Sequence, residues 1–270
     1  MGSDPVDVEP HEVKPPPLVA ADLKRALVRP GGLWREVRVV AATGSTNTDL
    51  LKAAEAGAPE GTVLAAEVQT AGRGRMGRSW LGPPRAALTF SVLLRPAAVP
   101  ASRRGWVPLL TGVAAVSALR GVAALDAVLK WPNDVLVGQR KLAGILAEQA
   151  GDAIVAGIGI NVSALPPGEA GATSLQAEGA APLSRGRLLE AVLDEIERRY
   201  RHWVAHPDEP GLRLQYQNMC DTIGRAVRVE LPGGRVLTGT AAEIDHFGRL
   251  VVRTGQSLDT VSAGDVVHVR

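Results

Sequence analysis

The segment Gly72-Arg73-Gly74-Arg75-Met76-Gly77-Arg78 places three guanidinium groups within six residues and spaces them with glycine. It satisfies the G-x-G-x-x-G string. However, Ser79-Trp80-Leu81-Gly82-Pro83-Pro84 follows and cannot open the helix that a dinucleotide site requires. Nor does it end in the Gly-Lys-Ser/Thr of a P-loop. Free backbone N–H groups beside guanidinium groups suit the wrapping of a phosphate or a carboxylate. The alternatives on these residues alone are a solvated arginine-rich surface loop and a generic nucleic-acid contact.

A second constellation is Lys130-Trp131-Pro132-Asn133-Asp134. Pro132 biases Trp131 toward extended backbone, so the segment reads as a strand running into a turn, with Lys130, Asn133 and Asp134 near the strand end. An ammonium, an amide and a carboxylate together suit a nucleotide with its magnesium, and Lys141 follows one short hairpin later. A hairpin with an exposed lysine explains the same residues. Gly157-Ile158-Gly159-Ile160-Asn161 ends an apolar strand, where glycine permits close approach of a ligand and Asn161 can hydrogen-bond a base edge. A strand with bulge glycines is the competing account. Ser45, Thr46, Asn47 and Gln69 are neutral donors and acceptors, suited to an uncharged polar head group or simply to a helix cap and a strand-end amide.

Other chemistries find no foothold. The five histidines, His11, His202, His206, His246 and His268, lack metal-ligand spacing on a common element. No Gly-x-Ser-x-Gly elbow supports Ser-His-Asp hydrolysis. Cys220 stands alone, reads as packed, and favours a reducing, cytoplasmic compartment. Among the 270 residues, Lys plus Arg number 30 against 28 for Asp plus Glu, so the chain is no nucleic-acid polycation. The start has acids and prolines where a signal peptide would carry a basic flank and an apolar run. No later stretch is expected to approach the roughly 20 apolar residues of a membrane span.

These residues need elements to position them. Residues 1–17 read as a flexible proline-rich tail. Ser45 to Asp49 cap a short helix that stops at Gly57-Ala58-Pro59. Thr62 to Val68 and Leu88 to Leu94 read as strands, the second with Leu88, Phe90, Val92 and Leu94 on one face. Trp106 to Ala124 reads as a helix buried against a sheet. Val128 to Leu129, Val135 to Val137, Leu142 to Glu148 and Ala153 to Val162 form a meander. An amphipathic helix through Leu188, Val192, Ile196 and Tyr200 closes the main domain, residues 18–220. Four short β-branched runs over residues 221–270 fit a small β-barrel.

In order and together, Gly44-Ser45-Thr46-Asn47, Gln69 through Arg78, Lys130 through Asp134, Lys141-Leu142-Ala143-Gly144-Ile145-Leu146 and Gly157 through Asn161 resemble the biotin protein ligases, over about residues 18–270. The resemblance is to monofunctional members without an N-terminal DNA-binding domain. It implies an α+β fold of the class II synthetase-like, biotin/lipoate ligase type, a mixed sheet flanked by helices with a small C-terminal SH3-like β-barrel. It also implies the substrates biotin and ATP, with Mg2+. Biotin is first activated to biotinyl-5′-AMP, then transferred to a lysine of the biotin carboxyl carrier protein domain of an acyl-CoA carboxylase, with no DNA or membrane partner and a monomer or homodimer as the working form.

The resemblance assigns biotin to Ser45, Thr46, Asn47, Gln69, Gly72, Arg73, Gly74, Arg75, Lys130 and Gly157. It assigns the nucleotide to Arg73, Arg75, Trp80, Asn133, Lys141 and Asn161, the metal to Asp134, and catalysis to Lys130, Arg75, Lys141 and Asp134. The rival readings are a lipoate–protein ligase, a nucleic-acid-binding module, and a biotin sensor in which Lys130 or Lys141 would be idle. Gly72, Gly74 and Gly77 make the loop entropically costly to order unaided. Amide hydrogen exchange over Gly72 to Arg78 is therefore expected to slow when biotin is added; unchanged exchange would contradict ligand-driven ordering.

Overall fold

The computed structural model describes residues 15–163, 171–181, 183–231, 233–262 and 264–269. The tail expected over residues 1–17 lies outside the described residues as far as residue 14, and so does the Pro232 of one expected turn.

A seven-stranded mixed sheet carries the molecule, in the order β1-β2-β3-β7-β6-β5-β4. Its strands are β1 (Glu36–Val40), β2 (Thr62–Ala66), β3 (Ala87–Leu94), β4 (Ala127–Lys130), β5 (Asp134–Val137), β6 (Arg140–Ala150) and β7 (Ala153–Asn161). Only β1 and β2 run parallel; the other pairs are antiparallel, and β4 to β7 form the expected meander. Short helix α2 (Thr46–Glu55) packs over β2, β3, β6 and β7. Helix α3 (Trp106–Val122) lies against β4 to β7 and is backed by α4 (Arg185–Ala205) and α5 (Gly211–Met219). Helix α1 (Ala20–Leu27) packs on β1 and α4.

Apolar side chains explain the layering. On β3, Leu88, Phe90, Val92 and Leu94 enter the main core. Leu93 points the other way, into a smaller cluster with Leu64, Val155 and the α2 residue Leu50. The strand is thus buried on both faces, as a central strand must be, and not on the single face its alternation suggested. At Gly112 on α3, a Cβ would come within 2.9 Å of Leu129 Cδ2, so glycine sets how closely helix and sheet approach.

The absence of any membrane-length apolar stretch does not hold: Ala101–Val122, 22 residues, reaches that length and composition. Its window is 67% buried inside the protein, so core packing accounts for its apolar character. The sequence reading also passed over α1, β1 and α5; α5, not α4, precedes the C-terminal sheet, and Asp221 N–H then donates to Leu129 O of β4 at 2.8 Å.

The second sheet is antiparallel, in the order β11-β10-β9-β8-β12. It comprises β8 (Ala226–Glu230), β9 (Val236–Ile244), β10 (Leu250–Thr254), β11 (Ser257–Val261) and β12 (Asp265–His268). Val227, Val229, Ile244, Leu250, Val252 and Val266 face inward. It fits the small C-terminal domain expected above, with β11 as an additional strand. Trp106 Nε1 donates to His246 O at 2.9 Å and Trp131 Nε1 to Gly248 O at 3.2 Å, joining the β9–β10 turn to the start of α3 and to the end of β4.

A buried ion pair secures the beginning of the described chain. Arg185, 3% exposed, donates to Glu67 Oε2 at 2.6 Å and to Pro16 O at 2.8 Å, while Glu67 Oε1 accepts the Leu18 N–H at 2.5 Å. Replacing Arg185 by alanine strands a buried carboxylate and is expected to cost about 3–5 kcal/mol in urea unfolding. The exposed Arg187→Ala on the same helix should cost under about 1 kcal/mol, its partner being the surface residue pair with Glu190. Equal losses in the two variants would contradict this.

Candidate active site

Strand register builds the floor of the site. Thr89, Gly159, Gly144, Asp134 and Lys130 are mutual partners on β3, β7, β6, β5 and β4, so all five share one sheet face. The next row on that face holds Ser91, Gly157 and Leu146. Glycine at 144, 157 and 159 leaves a flat floor, and other side chains use the space. A Cβ on Gly157 would lie 2.1 Å from Asn47 Oδ1, and one on Gly159 would lie 2.2 Å from the Trp80 indole. The ladder is regular through both glycines, so they are not bulges.

The N-terminus of α2 stands over this floor. Ser45 caps it, Oγ accepting from Thr48 N–H at 3.5 Å. Thr70 and Ala71 donate to Thr43 O and Gly44 O at 2.9 and 2.8 Å, and this brings Gln69 alongside the cap. Gln69 Oε1 accepts the Thr46 N–H at 2.8 Å. The arginine loop then turns back on itself: Gly74 N–H donates to Arg78 O at 2.6 Å and Trp80 N–H to Gly72 O at 2.8 Å. At Gly72 a Cβ would meet Trp80 O at 2.1 Å, which explains the glycine. Met76 and Gly77 take φ of 54° and 75°, and no helix of the dinucleotide-binding kind follows.

The three loop arginines have different partners. Arg73 pairs with Glu148 at 2.9 Å and donates to Thr48 Oγ1 at 3.1 Å. Arg78 pairs with Asp265 of β12 at 3.0 Å. Arg75 donates to a neutral group, Asn133 Oδ1, at 3.1 Å. Burial pushes the Arg75 guanidinium below its ordinary range, opposed by Asp265 and Asp134 and reinforced by Arg78. Lys141 Nζ lies 3.3 Å from Asp134 Oδ1 and 5.5 Å from the centre of the Trp80 ring.

Of the expected site residues, Ser45, Thr46, Asn47, Gln69, Arg73, Gly74, Arg75, Trp80, Asn133, Lys141 and Gly157 line one cavity that opens to solvent. Gly72 shapes the loop behind it. Asp134 approaches through Lys141. Lys130 lies one strand beyond Asp134, close enough to His268 to help burial lower that imidazole's pKa. Asn161 is 2% exposed and donates to Thr173 O at 2.9 Å; it faces a small neighbouring cavity that shares Trp80 and Gln69 as wall. Among the described residues, no group of three or more His, Cys, Asp or Glu side chains could hold a metal. Sequence reasoning missed Glu148, Ser91, Thr89 and Asp265. Glu148 and Ser91 could have been found by carrying the alternation of β6 and β3 through to the glycine face; nothing local marks Asp265.

A neutral polar end, a loop of arginines and a glycine floor thus meet in one cavity on an α+β scaffold. Residues 39–164 match the biotin/lipoate A/B protein ligase family, and residues 222–269 match the biotin protein ligase C terminal domain. The chain is 46% identical over 260 residues to the biotin--[acetyl-CoA-carboxylase] ligase of Mycobacterium tuberculosis, covering 94% of this chain and 97% of that relative. It is 32% identical over 232 residues to the bifunctional ligase/repressor BirA of Bacillus subtilis, covering 82% and 70%. A solved structure of the biotin protein ligase from Aquifex aeolicus in complex with biotin and ATP is similar with a TM-score of 0.76 at 28% identity, covering 88% of this chain and 100% of that one. The chain belongs to the biotin protein ligase family.

Gly157→Ala is expected to push Asn47 off the floor and weaken biotin binding by about 1–3 kcal/mol in calorimetric titration. Gly121→Ala on α3, where a Cβ meets nothing within 4 Å, should leave it unchanged. Equal affinity in both variants would contradict the geometry.

Proposed function

We propose that this chain is a biotin protein ligase that activates biotin with MgATP to biotinyl-5′-AMP and pyrophosphate, then passes the biotinyl group to a lysine of a biotin carboxyl carrier protein. The observation that carries this reading is that one cavity unites the neutral set around Thr46 with Arg75 and Lys141.

Biotin's ureido ring is uncharged, with two N–H donors and one carbonyl. Ser45, Thr46, Asn47 and Gln69 can satisfy it without burying an unpaired charge. A dithiolane ring, as in lipoate, would leave those polar groups without partners, so biotin is favoured over lipoate. At the acid end, the carboxylate attacks the α-phosphorus and pyrophosphate leaves. Bringing two anions to about 4 Å costs on the order of 4 kcal/mol at an effective dielectric of 20. Arg75, whose hydrogen-bond partner is an amide, has charge to offer there; charge-assisted bonds of roughly 1.5–3 kcal/mol each are of the right size. Arg73 and Arg78 carry carboxylate partners and hold the loop to β6 and β12.

Lys141 and Asn133 border the same cavity, Lys141 with its ammonium 5.5 Å from the Trp80 ring centre, and the nucleotide phosphates are assigned to them. Lys130, the register partner of Asp134 on the same sheet face, is assigned to the bridge between biotin's carboxyl oxygen and the phosphate. Asp134 offers Mg2+ one carboxylate, enough for an ion that keeps several waters and takes its other oxygens from phosphate. That ion would neutralise charge on the leaving pyrophosphate. Asn161, held by Thr173, supports the nucleotide end through the wall it shares with Trp80. In the second step the uncharged carrier lysine attacks the carbonyl of the mixed anhydride, and AMP leaves. The carrier read from the sequence is the acyl-CoA carboxylase subunit.

Biotin-driven ATP–pyrophosphate exchange is expected, with lipoate inert; exchange with lipoate alone would overturn the reading. Arg75→Gly should release more free adenylate and biotinylate bystander lysines, and unchanged levels of both would remove Arg75 from adenylate retention.

A further inference from the structure

The hydrogen bonds behind the neutral end of the cavity run in one direction. Asn47 Nδ2 donates to Leu146 O at 3.0 Å and to Glu148 Oε2 at 2.8 Å. A carbonyl and an arginine-paired carboxylate can only accept, so the Asn47 amide is pinned and turns Oδ1 toward Ser91. The Ser91 hydroxyl donates to that Oδ1 at 2.6 Å. Ser91 has one proton, now committed. In the 2.7 Å contact between the Ser91 and Thr46 hydroxyls, the proton therefore comes from Thr46. Gln69 Oε1 accepts the Thr46 backbone N–H at 2.8 Å and, 3.1 Å from Thr46 Oγ1, is the longer of the two acceptors within reach of that hydroxyl's proton. With its single proton aimed at Ser91, Thr46 keeps a lone pair for the cavity it lines.

We propose that Ser91, fully buried and outside the cavity wall, is a positioning residue that sets ligand specificity by holding the Thr46 hydroxyl as an acceptor. The head-group end then selects a ring that presents N–H to Thr46 and rejects one that presents oxygen, because two lone pairs would face each other without a proton between them. The inference rests on the biotin reading above: a ureido ring meets the requirement, whereas a cyclic carbamate, in which oxygen replaces one ring N–H, fails it in the isomer whose oxygen faces Thr46.

The test measures kcat/KM in ATP–pyrophosphate exchange for biotin and for its two cyclic carbamate isomers, at saturating ATP. The wild type should discriminate against one isomer. In Ser91→Ala the Thr46 proton loses its 2.7 Å acceptor and keeps only the longer contact to Gln69 Oε1, so it can turn toward the ring oxygen, and that discrimination should fall by about tenfold, equivalent to ~1.4 kcal/mol, with the KM for ATP unchanged. Ser91→Thr, which keeps the hydroxyl, should retain the wild-type ratio. In a Thr46→Val background no proton remains to turn, so adding Ser91→Ala should leave the ratio where Thr46→Val put it; this non-additivity separates relay from general loosening. An equal fall of kcat/KM for all three rings in Ser91→Ala, or the same tenfold change on top of Thr46→Val, would overturn the proposal. Absence of any biotin-driven exchange in the wild type would overturn the ligase reading itself, an outcome visible before any variant is made.

Discussion

The site is governed by the repulsion between a carboxylate and a phosphate that must come within bonding distance. Water screens such pairs well, but a cavity that excludes water to protect an acyl-adenylate does not, so the protein must supply fixed positive charge. An arginine already neutralised by a carboxylate is a poor source. Arg73 with Glu148 and Arg78 with Asp265 are in that condition, whereas Arg75 is hydrogen-bonded to the uncharged Asn133. One loop thus divides its chemically identical side chains: two ion pairs tether it at its ends, to β6 and to β12, while the middle guanidinium donates to a neutral amide, which is why the proposal gives it the substrate's acid. The burial that depresses the Arg75 pKa is the same low-polarity surrounding that strengthens its attraction for an anion.

The second requirement is room. Where ordinary strands would raise side chains from the floor, glycines 144, 157 and 159 leave bare backbone, and the side chains above come from elsewhere: Asn47 from the start of α2, Trp80 from just after the loop. Because these glycines sit in adjacent strands at matched register, they form one continuous flat patch. The central strands are held by apolar packing on both faces at their far ends, so the floor can omit side chains locally without loss of the core.

Much of this was readable in the sequence where chemistry and spacing coincide in a short stretch. The arginine loop, Lys130 to Asp134, the α2 cap and the four-stranded meander all announce themselves through turn residues, periodicity or charge. Other elements were missed because they are short: α1 has eight residues with Leu23 and Leu27 on its buried face, β1 has five, and β11, Ser257-Leu258-Asp259-Thr260-Val261, is too polar to read as a strand. The division of roles within the loop was also hidden. It depends on Glu148 and on Asp265, the latter 187 residues from Arg78, and such partners exist only once the sheets are assembled. Asn161 likewise has a partner hidden in the sequence, its amide donating to Thr173 O twelve residues on.

The most direct measurement compares the calorimetric affinity of biotin with that of biotinamide, its uncharged analogue, in the wild type and in Arg75→Gln. If Arg75 supplies the charge that receives the acid, the substitution weakens biotin by about tenfold, or ~1.4 kcal/mol, and leaves biotinamide nearly untouched. An equal loss for both ligands would mean that Arg75 shapes the loop without meeting the carboxylate, and would contradict the account.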